Sequence, residues 1–281
     1  MRYYIFMMLL LAVVLFQGCT EREQRTETNT TQTIDPALQT LELQIETVEL
    51  PENNDTTVTL KTDDGQDITS NKNIVWHISD TNVTEINGTK LFAKAEGTAT
   101  IRAEVDGEYS QEQNVTVYKI IHGHRLPPEP DKEKNNATLL GIDDNNNGIR
   151  DDVERLIIVE EAKNLHFPKT QTALSLQYAW AWQKIIEAPI LKNRIYLEKY
   201  TSCQRYFEKK YTKEMTFTEY MAWAKENAST ILGIKLEDQI FNTRARIEQR
   251  FEFNKICSGN LFDLPPADLT ACQINIDELS E

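Results

Sequence analysis

The chain is poor in the residues that ligate zinc or act as nucleophiles. It has four cysteines and four histidines, and none of them forms a CxxC pair or a cysteine–histidine spacing typical of zinc. The patterns HExxH and G-x-S-x-G and a glycine-rich phosphate loop are also absent. An enzyme of this sequence would therefore have to assemble its site from dispersed residues.

Positive charge is scarce as well. Lys and Arg number 30 against 44 Asp and Glu, which gives a formal net charge of -14 at pH 7. An acidic chain is a poor candidate for binding nucleic acid or anionic lipid headgroups, whereas it suits calcium, a cationic partner or simple solubility. After the N-terminal apolar run, no stretch is long enough to cross a membrane.

The N-terminus combines a positive residue, an apolar run and a cysteine, in MRYYIFMMLLLAVVLFQGCT. Arg2, the run Tyr3 to Phe16 and Gly18 before Cys19 resemble a bacterial lipoprotein signal, although Phe16 and Gln17 depart from its usual residues. The resemblance implies cleavage after residue 18 and lipidation of Cys19, which would anchor the protein in the cell envelope. Thr20, where retention signals usually carry Asp, favours the outer membrane. The alternative is an ordinary secreted protein with a chance cysteine.

Residues 19–39 are polar and without hydrophobic period, so we expect a disordered tether.

From residue 40 to about 120, short alternating runs separated by turn signals predict the strands of a β-sandwich. The stretch VWHISDTNVTEINGTKLFAKAEGTATIRAEV resembles the bacterial Ig-like group 2 family. The matching residues are Val75, Trp76, Ser79, Asp80, Gly97, Thr98, Ala99, Ile101 and Ala103. The resemblance implies a spacer or adhesive module with Trp76 in its core.

Residues 121–141 are rich in proline and charge and indicate an extended linker. Beyond Asp151, apolar residues recur every three or four positions, which predicts helices up to the C-terminus. The predicted fold is therefore an all-β Ig-like sandwich followed by an all-α domain, residues 142–281, that is entered through an oxygen-rich loop.

That loop is GIDDNNNGIRDDVERL, residues 141–156. Counted from Asp143, it places oxygen donors at positions 1, 3, 5, 7, 9 and 12 and a glycine at 6, which is the spacing that calcium loops use. It resembles EF-hand-like loops, especially those of dockerins and thrombospondin type 3 repeats. The predicted calcium ligands are Asp143, Asn145, Asn147, the carbonyl of Ile149, Asp151 and Glu154. The alternatives are a metal-free polar turn and Asp151 acting only as a cap of the following helix.

With Cys19 lipidated, three cysteines remain in an oxidising compartment, so one disulfide is expected. We favour Cys203–Cys272, which would hold the C-terminal tail across the helices; Cys257–Cys272 is the alternative.

Seven Asn-x-Ser/Thr sequons occur, and in the first five an acidic residue stands two positions before the asparagine: Asn29, Asn54, Asn82, Asn87 and Asn114. This form resembles the acceptor of bacterial oligosaccharyltransferases and makes the five asparagines candidate glycosylation sites. The remaining two sequons, at Asn136 and Asn227, lack the acidic residue.

Together these features indicate an envelope-anchored binding or scaffolding lipoprotein with structural calcium, whose partners would be the membrane through its lipid anchor and an envelope protein or glycan. The segments of residues 126–155 and 241–262 resemble an uncharacterised family of bacterial envelope proteins. The alternative function is a hydrolytic enzyme with a site dispersed over the helical domain.

Overall fold

The structure is a computed structural model that describes residues 41–71 and 73–281. The predicted signal peptide, the lipidation residue Cys19, the tether and Asn29 lie outside these residues. Within them, all the longer strands precede the helices, so the predicted order of a β part followed by a helical part is confirmed.

The β part consists of two main sheets and a small hairpin. Its strands are β1 (Glu42–Ile45), β2 (Glu49–Pro51), β3 (Asp55–Lys61), β4 (Val75–Ile78), β5 (Thr84–Asn87), β6 (Lys90–Ala93), β7 (Gly97–Val105), β8 (Glu108–Tyr109), β9 (Gln113–Tyr118), β10 (Ile120–Ile121) and β11 (His124–Arg125). One sheet has the order β1-β3-β6-β5 and the other β2-β9-β7-β4, with β8 paired to β7. Strands β2 and β9 run parallel, and the other pairs are antiparallel.

The two sheets share one hydrophobic core because their strands alternate between apolar and polar residues. In β7 the alternating residues Ala99, Ile101 and Ala103 are fully buried, and the intervening side chains point outward. They belong to the same buried cluster as Leu60 of β3 and Leu91 of β6. Each such large aliphatic side chain contributes about 1.5–3 kcal/mol through burial.

The helical part follows the linker. Its helices are α1 (Lys132–Ala137), α2 (Asp151–Glu161), α3 (Pro168–Glu187), α4 (Arg194–Thr212), α5 (Phe217–Asn227), α6 (Ile234–Ile240) and α7 (Arg244–Cys257). In the part of the chain that the structure describes, we find no helix with the length and apolar character needed to span a membrane.

Helix α3 is the centre of this part, since it packs against α2, α4, α6 and α7. Its alternating aromatic residues therefore meet different neighbours. Trp182 is buried and its ring lies 5.1 Å from that of Phe241, measured between centroids, whereas Trp180 faces Tyr196 at 4.9 Å. The alternation thus fits a helix covered on more than one side.

The linker is not extended throughout, contrary to our expectation. It contains the β10–β11 hairpin and helix α1, which begins where the Asp131 carboxylate accepts a hydrogen bond from the Lys134 N–H at 2.9 Å. This capping supplies an acceptor for a free helical N–H group, so the charged composition that suggested an extended chain instead forms a helix.

Arg155 of α2 joins the helical part to the β part. Its guanidinium pairs with Glu96, in the loop before β7, and donates to the Pro127 carbonyl. It also pairs with Glu129 at 2.7 Å. The start of α2 is thereby tied to both the sandwich and the linker.

Candidate metal centre

The oxygen-rich loop connects the linker to α2 and folds back on itself. The Asp151 N–H donates to the Ile142 carbonyl at 2.8 Å, which closes the loop. Asn146 and Gly148 have φ values of 55° and 84°, in the left-handed region that Asn and Gly adopt most readily. Ile149 anchors the loop because its side chain is buried in the core of the helical part.

The structure brings three of the predicted ligands into direct contact. The side-chain amides of Asn145 and Asn147 both donate to the same Glu154 oxygen, Oε2, at 3.0 and 2.9 Å. Glu154 lies in the first turn of α2, so the far end of the loop is bound to the helix that follows it.

The other two carboxylates of the predicted set face backbone N–H groups of the loop. Asp143 accepts from the N–H of Asn147 at 3.1 Å and from that of Gly148 at 2.8 Å. Asp151 is fully buried and accepts from the Asp144 N–H, at 3.2 and 3.3 Å to its two oxygens. The loop is therefore wrapped around its own acidic side chains.

This concentration of buried negative charge changes the titration of the loop. The pKa of Asp151 is raised to about 6, first by burial and also by the neighbouring carboxylates of Asp144, Asp143 and Glu154, while the hydrogen bond from the Asp144 N–H opposes the rise. Burial likewise raises the pKa of Glu154, although its bonds to the two asparagines oppose this. Ionising these groups is costly unless positive charge is supplied.

The predicted ligands are all oxygen donors, the kind that a hard cation prefers. Among the described residues, Asp143, Asp151 and Glu154 form no ion pair with Lys, Arg or His. Over the same residues, no three Cys, His, Asp or Glu side chains converge as a metal-binding group. Half of the predicted set consists of amide and carbonyl oxygens, which calcium accepts as ligands. The Asn145 and Asn147 amides would have to turn their oxygens toward the cation.

Two buried arginines hold the loop and the segment before it, and neither was among the site residues predicted from the sequence. Arg150, between Ile149 and Asp151, is fully buried and donates to Asp152 and to the carbonyls of Gln239 and Ile240 at 2.6 and 3.1 Å. It thus joins the loop to the end of α6. Arg150 stands at position 8 of the loop, where EF-hand loops carry an apolar residue, and this departure is the feature of the sequence that could have indicated its burial.

Arg246 of α7 is the second buried arginine and holds the linker. Its guanidinium donates to the carbonyls of Leu139, Asn135 and Thr138 at 3.0, 2.7 and 3.1 Å and to the Asn136 side chain at 3.0 Å. Burial and the nearby Arg150 lower its pKa to about 10. It is one of three arginines in α7, and no local sequence pattern distinguishes it from Arg244 and Arg250, which are not buried.

The structure contains the disulfide Cys203–Cys272, the pairing that we favoured, while Cys257 is a free thiol. The bridge links α4 to the C-terminal tail. The Gln177 amide supports the same tail by donating to the Ala271 carbonyl at 2.8 Å.

Of the candidate glycosylation sites in the described residues, all four lie in the β part: Asn54, Asn82, Asn87 and Asn114.

Comparison with known proteins adds little to this description. No family model matches the chain, and no curated protein matches it. The crystal structure of domains 4 and 5 of the S-layer protein SbsC is similar at 20% identity with a TM-score of 0.22. That match covers 28% of this chain and 53% of the other, so the chain spans about half the length of its neighbour. A similarity of this size assigns neither a fold nor a function.

Proposed function

We propose that this protein is a lipoprotein of the cell envelope that acts in binding or scaffolding. Cys19 carries the lipid anchor in the outer membrane, the Ig-like sandwich is a spacer, and the helical part makes the contact with an envelope protein or glycan. A structural calcium ion, held by Asp143, Asn145, Asn147, Ile149, Asp151 and Glu154, fixes the start of α2.

The observation that carries the calcium assignment is the uncompensated charge of the loop. Asp151 is fully buried, Glu154 is nearly so, and neither has a basic partner among the described residues. Metal-free turns rich in Asn and Asp keep their carboxylates in water, where ionisation costs little. A divalent cation would supply the missing positive charge and order the entry to the helical part.

The Ig-like assignment is supported by where its matching residues lie. Val75 and Trp76 belong to β4, and Ala99, Ile101 and Ala103 belong to its neighbour β7 in the same sheet. Trp76 is partly buried and packs against the core. This position agrees with the core role that the resemblance implies and leaves the indole unsuited to stacking on a ligand.

Binding rather than catalysis is favoured by the exposed apolar side chains of the helical part. Phe217 and Met221 are 77% and 52% exposed and lie one turn apart on α5. Exposed apolar residues grouped on one face are typical of interaction surfaces.

Thermal unfolding of the mature protein, with calcium and then with excess chelator, tests the calcium site. A native-state ligand at about 100 times its dissociation constant stabilises by roughly 2.7 kcal/mol. We expect the Tm to fall on chelation and to recover with calcium but not with magnesium. Glu154→Gln should abolish the response, whereas Glu252→Gln, an exposed carboxylate in α7, should retain it. An unchanged Tm at millimolar calcium would refute the site.

The anchor is tested separately in the native host. Cys19→Ser should move the protein from the membrane fraction to the soluble fraction, and the mass of the N-terminal peptide of the wild-type protein should include the acyl chains. If the wild-type protein is soluble and its N-terminal peptide is unmodified, the protein is an ordinary secreted protein and not a lipoprotein.

A further inference from the structure

The sequons of this chain fall into two structural groups, and this division goes beyond the proposed function. The sequons with an acidic residue two positions before the asparagine lie in the β part or N-terminal to it, and those without one lie in the linker and helical part. Asp and Glu make up 44 of 281 residues. An acidic residue at all of the first five sequons is therefore well above what composition predicts.

In the described part, the acidic sequons present their asparagines to solvent. Asn54 lies in the turn between β2 and β3, Asn82 in the turn between β4 and β5, Asn87 at the end of β5 and Asn114 in β9, and all four are exposed. Only Asn114 uses its side chain in a hydrogen bond, in which its Oδ1 accepts from the Thr100 hydroxyl at 2.9 Å. That bond leaves the amide nitrogen of Asn114 available.

The other two asparagines are used by the fold. Asn227 is 7% exposed, and its amide nitrogen donates to the Trp223 carbonyl at 2.7 Å. The Asn136 side chain accepts from the fully buried Arg246 at 3.0 Å. A sugar on Asn227 would meet the helical core. The bond at Asn136 uses only its Oδ1, so Asn136 is set apart by the lack of an acidic residue two positions before it rather than by this contact. Even if it were added before folding, a glycan on Asn227 would be incompatible with the folded core, so folded protein carries none there.

We propose that Asn54, Asn82, Asn87 and Asn114 carry N-linked oligosaccharides in the native host and that Asn136 and Asn227 do not. The co-substrate is an oligosaccharide attached through a diphosphate to a lipid. The asparagine amide nitrogen forms a bond with the anomeric carbon of the first sugar, and the bond from that carbon to the diphosphate oxygen breaks. The lipid diphosphate leaves with the electron pair, and the amide nitrogen loses one proton.

The buried threonines of two sequons also set the order of modification. Thr56 and Thr84 follow Asn54 and Asn82 by two positions and are 5% and 0% exposed. A transferase must contact this hydroxyl to recognise a sequon, so both sites are modified before the sandwich folds. In contrast, Asn87 and Thr89 are both exposed at the β5–β6 hairpin. Asn87 therefore remains an acceptor in the folded protein.

Glycopeptide mass spectrometry of the full-length protein from its own cells tests the division. We expect a constant glycan mass on peptides with Asn54, Asn82, Asn87 and Asn114, and bare peptides with Asn136 and Asn227. Unmodified peptides at all four sites would overturn the proposal. Equal occupancy of Asn136 or Asn227 would overturn the structural division.

Two exposed glutamates provide a matched pair of variants. Glu85 precedes Asn87 by two positions, and Glu46 belongs to no sequon; both side chains are exposed. Glu85→Gln should reduce occupancy of Asn87 at least fivefold and leave Asn82 unchanged, while Glu46→Gln should change neither. If Asn87 remains fully occupied in Glu85→Gln, the acidic residue has no role in recognition and that part of the proposal is wrong.

The order of modification has its own experiment. Unmodified protein is produced in a host that lacks the transferase. It is then incubated with membranes of the native host, which contain the enzyme and its lipid-linked donor. One sample of the protein is folded and the other is unfolded. We expect folded protein to be modified at Asn87 but not at Asn54 or Asn82, and unfolded protein at all three. Modification of Asn54 and Asn82 in the folded protein would contradict the role of their buried threonines.

Discussion

The Arg246 guanidinium donates to the Asn135 carbonyl at 2.7 Å, across 111 residues of sequence. Because Arg246 also takes the carbonyls of Leu139 and Thr138, helix α7 holds the C-terminal end of α1 and the residues that lead into the acidic loop. The loop is thus positioned from both ends, by Arg246 before it and by Arg150 within it.

Arg246→Met should destabilise the helical part strongly. The substitution leaves several buried carbonyl oxygens without a donor, and removing one partner of such a network costs roughly 3–5 kcal/mol. Chemical denaturation measures the change. The control is Arg244→Met, two residues away, because Arg244 is exposed and, among the described residues, its only ion pair is with Glu248 at 2.8 Å. We expect this variant to change the free energy of unfolding far less than Arg246→Met. Equal effects of the two variants would contradict the role assigned to Arg246.

Gly148→Ala should destabilise the protein more than Gly65→Ala. Both glycines have a φ of 84°, so both substitutions carry the cost of a left-handed residue, about 1–2 kcal/mol. A Cβ at Gly148 would also lie 3.0 Å from the Trp180 Nε1, whereas a Cβ at Gly65 would meet nothing within 4 Å. The difference in free energy of unfolding between the variants isolates the contact with Trp180. If the two variants lose the same free energy of unfolding, the Trp180 indole moves away from the added methyl group without cost and the prediction is wrong.

Stability in the presence of a chelator should fall as the pH rises through about 6. The pKa of Asp151 is raised from its ordinary 3.8 to about 6 in the folded protein. Between these values the folded state binds more protons than the unfolded state, so raising the pH favours unfolding. With saturating calcium, the cation stabilises the ionised carboxylates and this decline should disappear.

Denaturation at a series of pH values, with chelator and with calcium, measures this dependence. The calcium-induced rise in Tm should be larger at about pH 7.5 than at about pH 5, because protons compete with calcium for the carboxylates. Asp151→Asn should flatten the decline seen with chelator. A decline that persists in Asp151→Asn would assign it to another group.

The double variant Cys203→Ala/Cys272→Ala should lose roughly 4 kcal/mol of stability, since the bridge closes a loop of 69 residues in the unfolded chain. Cys257→Ala is the matched control, because this thiol is free and only partly buried. Peptide mapping without reduction should link the peptides that contain Cys203 and Cys272. A linked peptide that contains Cys257 would refute the pairing.

The sequence by itself determined the order of the two parts and the make-up of the loop. Alternation such as GTATIRAEV in β7 and three- and four-residue spacing in α2 are local patterns, and the burial of one face follows from them directly. The spacing from Asp143 to Glu154 is equally local, so its oxygen donors could be identified without coordinates.

Only the tertiary structure decided which residues meet across long stretches of chain. The burial of Arg246, the bridge between Cys203 and Cys272 and the engagement of Asn136 and Asn227 by the fold join residues that local periodicity cannot relate. The same holds for the linker, whose charged composition suggested an extended chain. Its helix α1 persists because a buried guanidinium takes the carbonyls at its end, and that partner comes from α7, more than a hundred residues later.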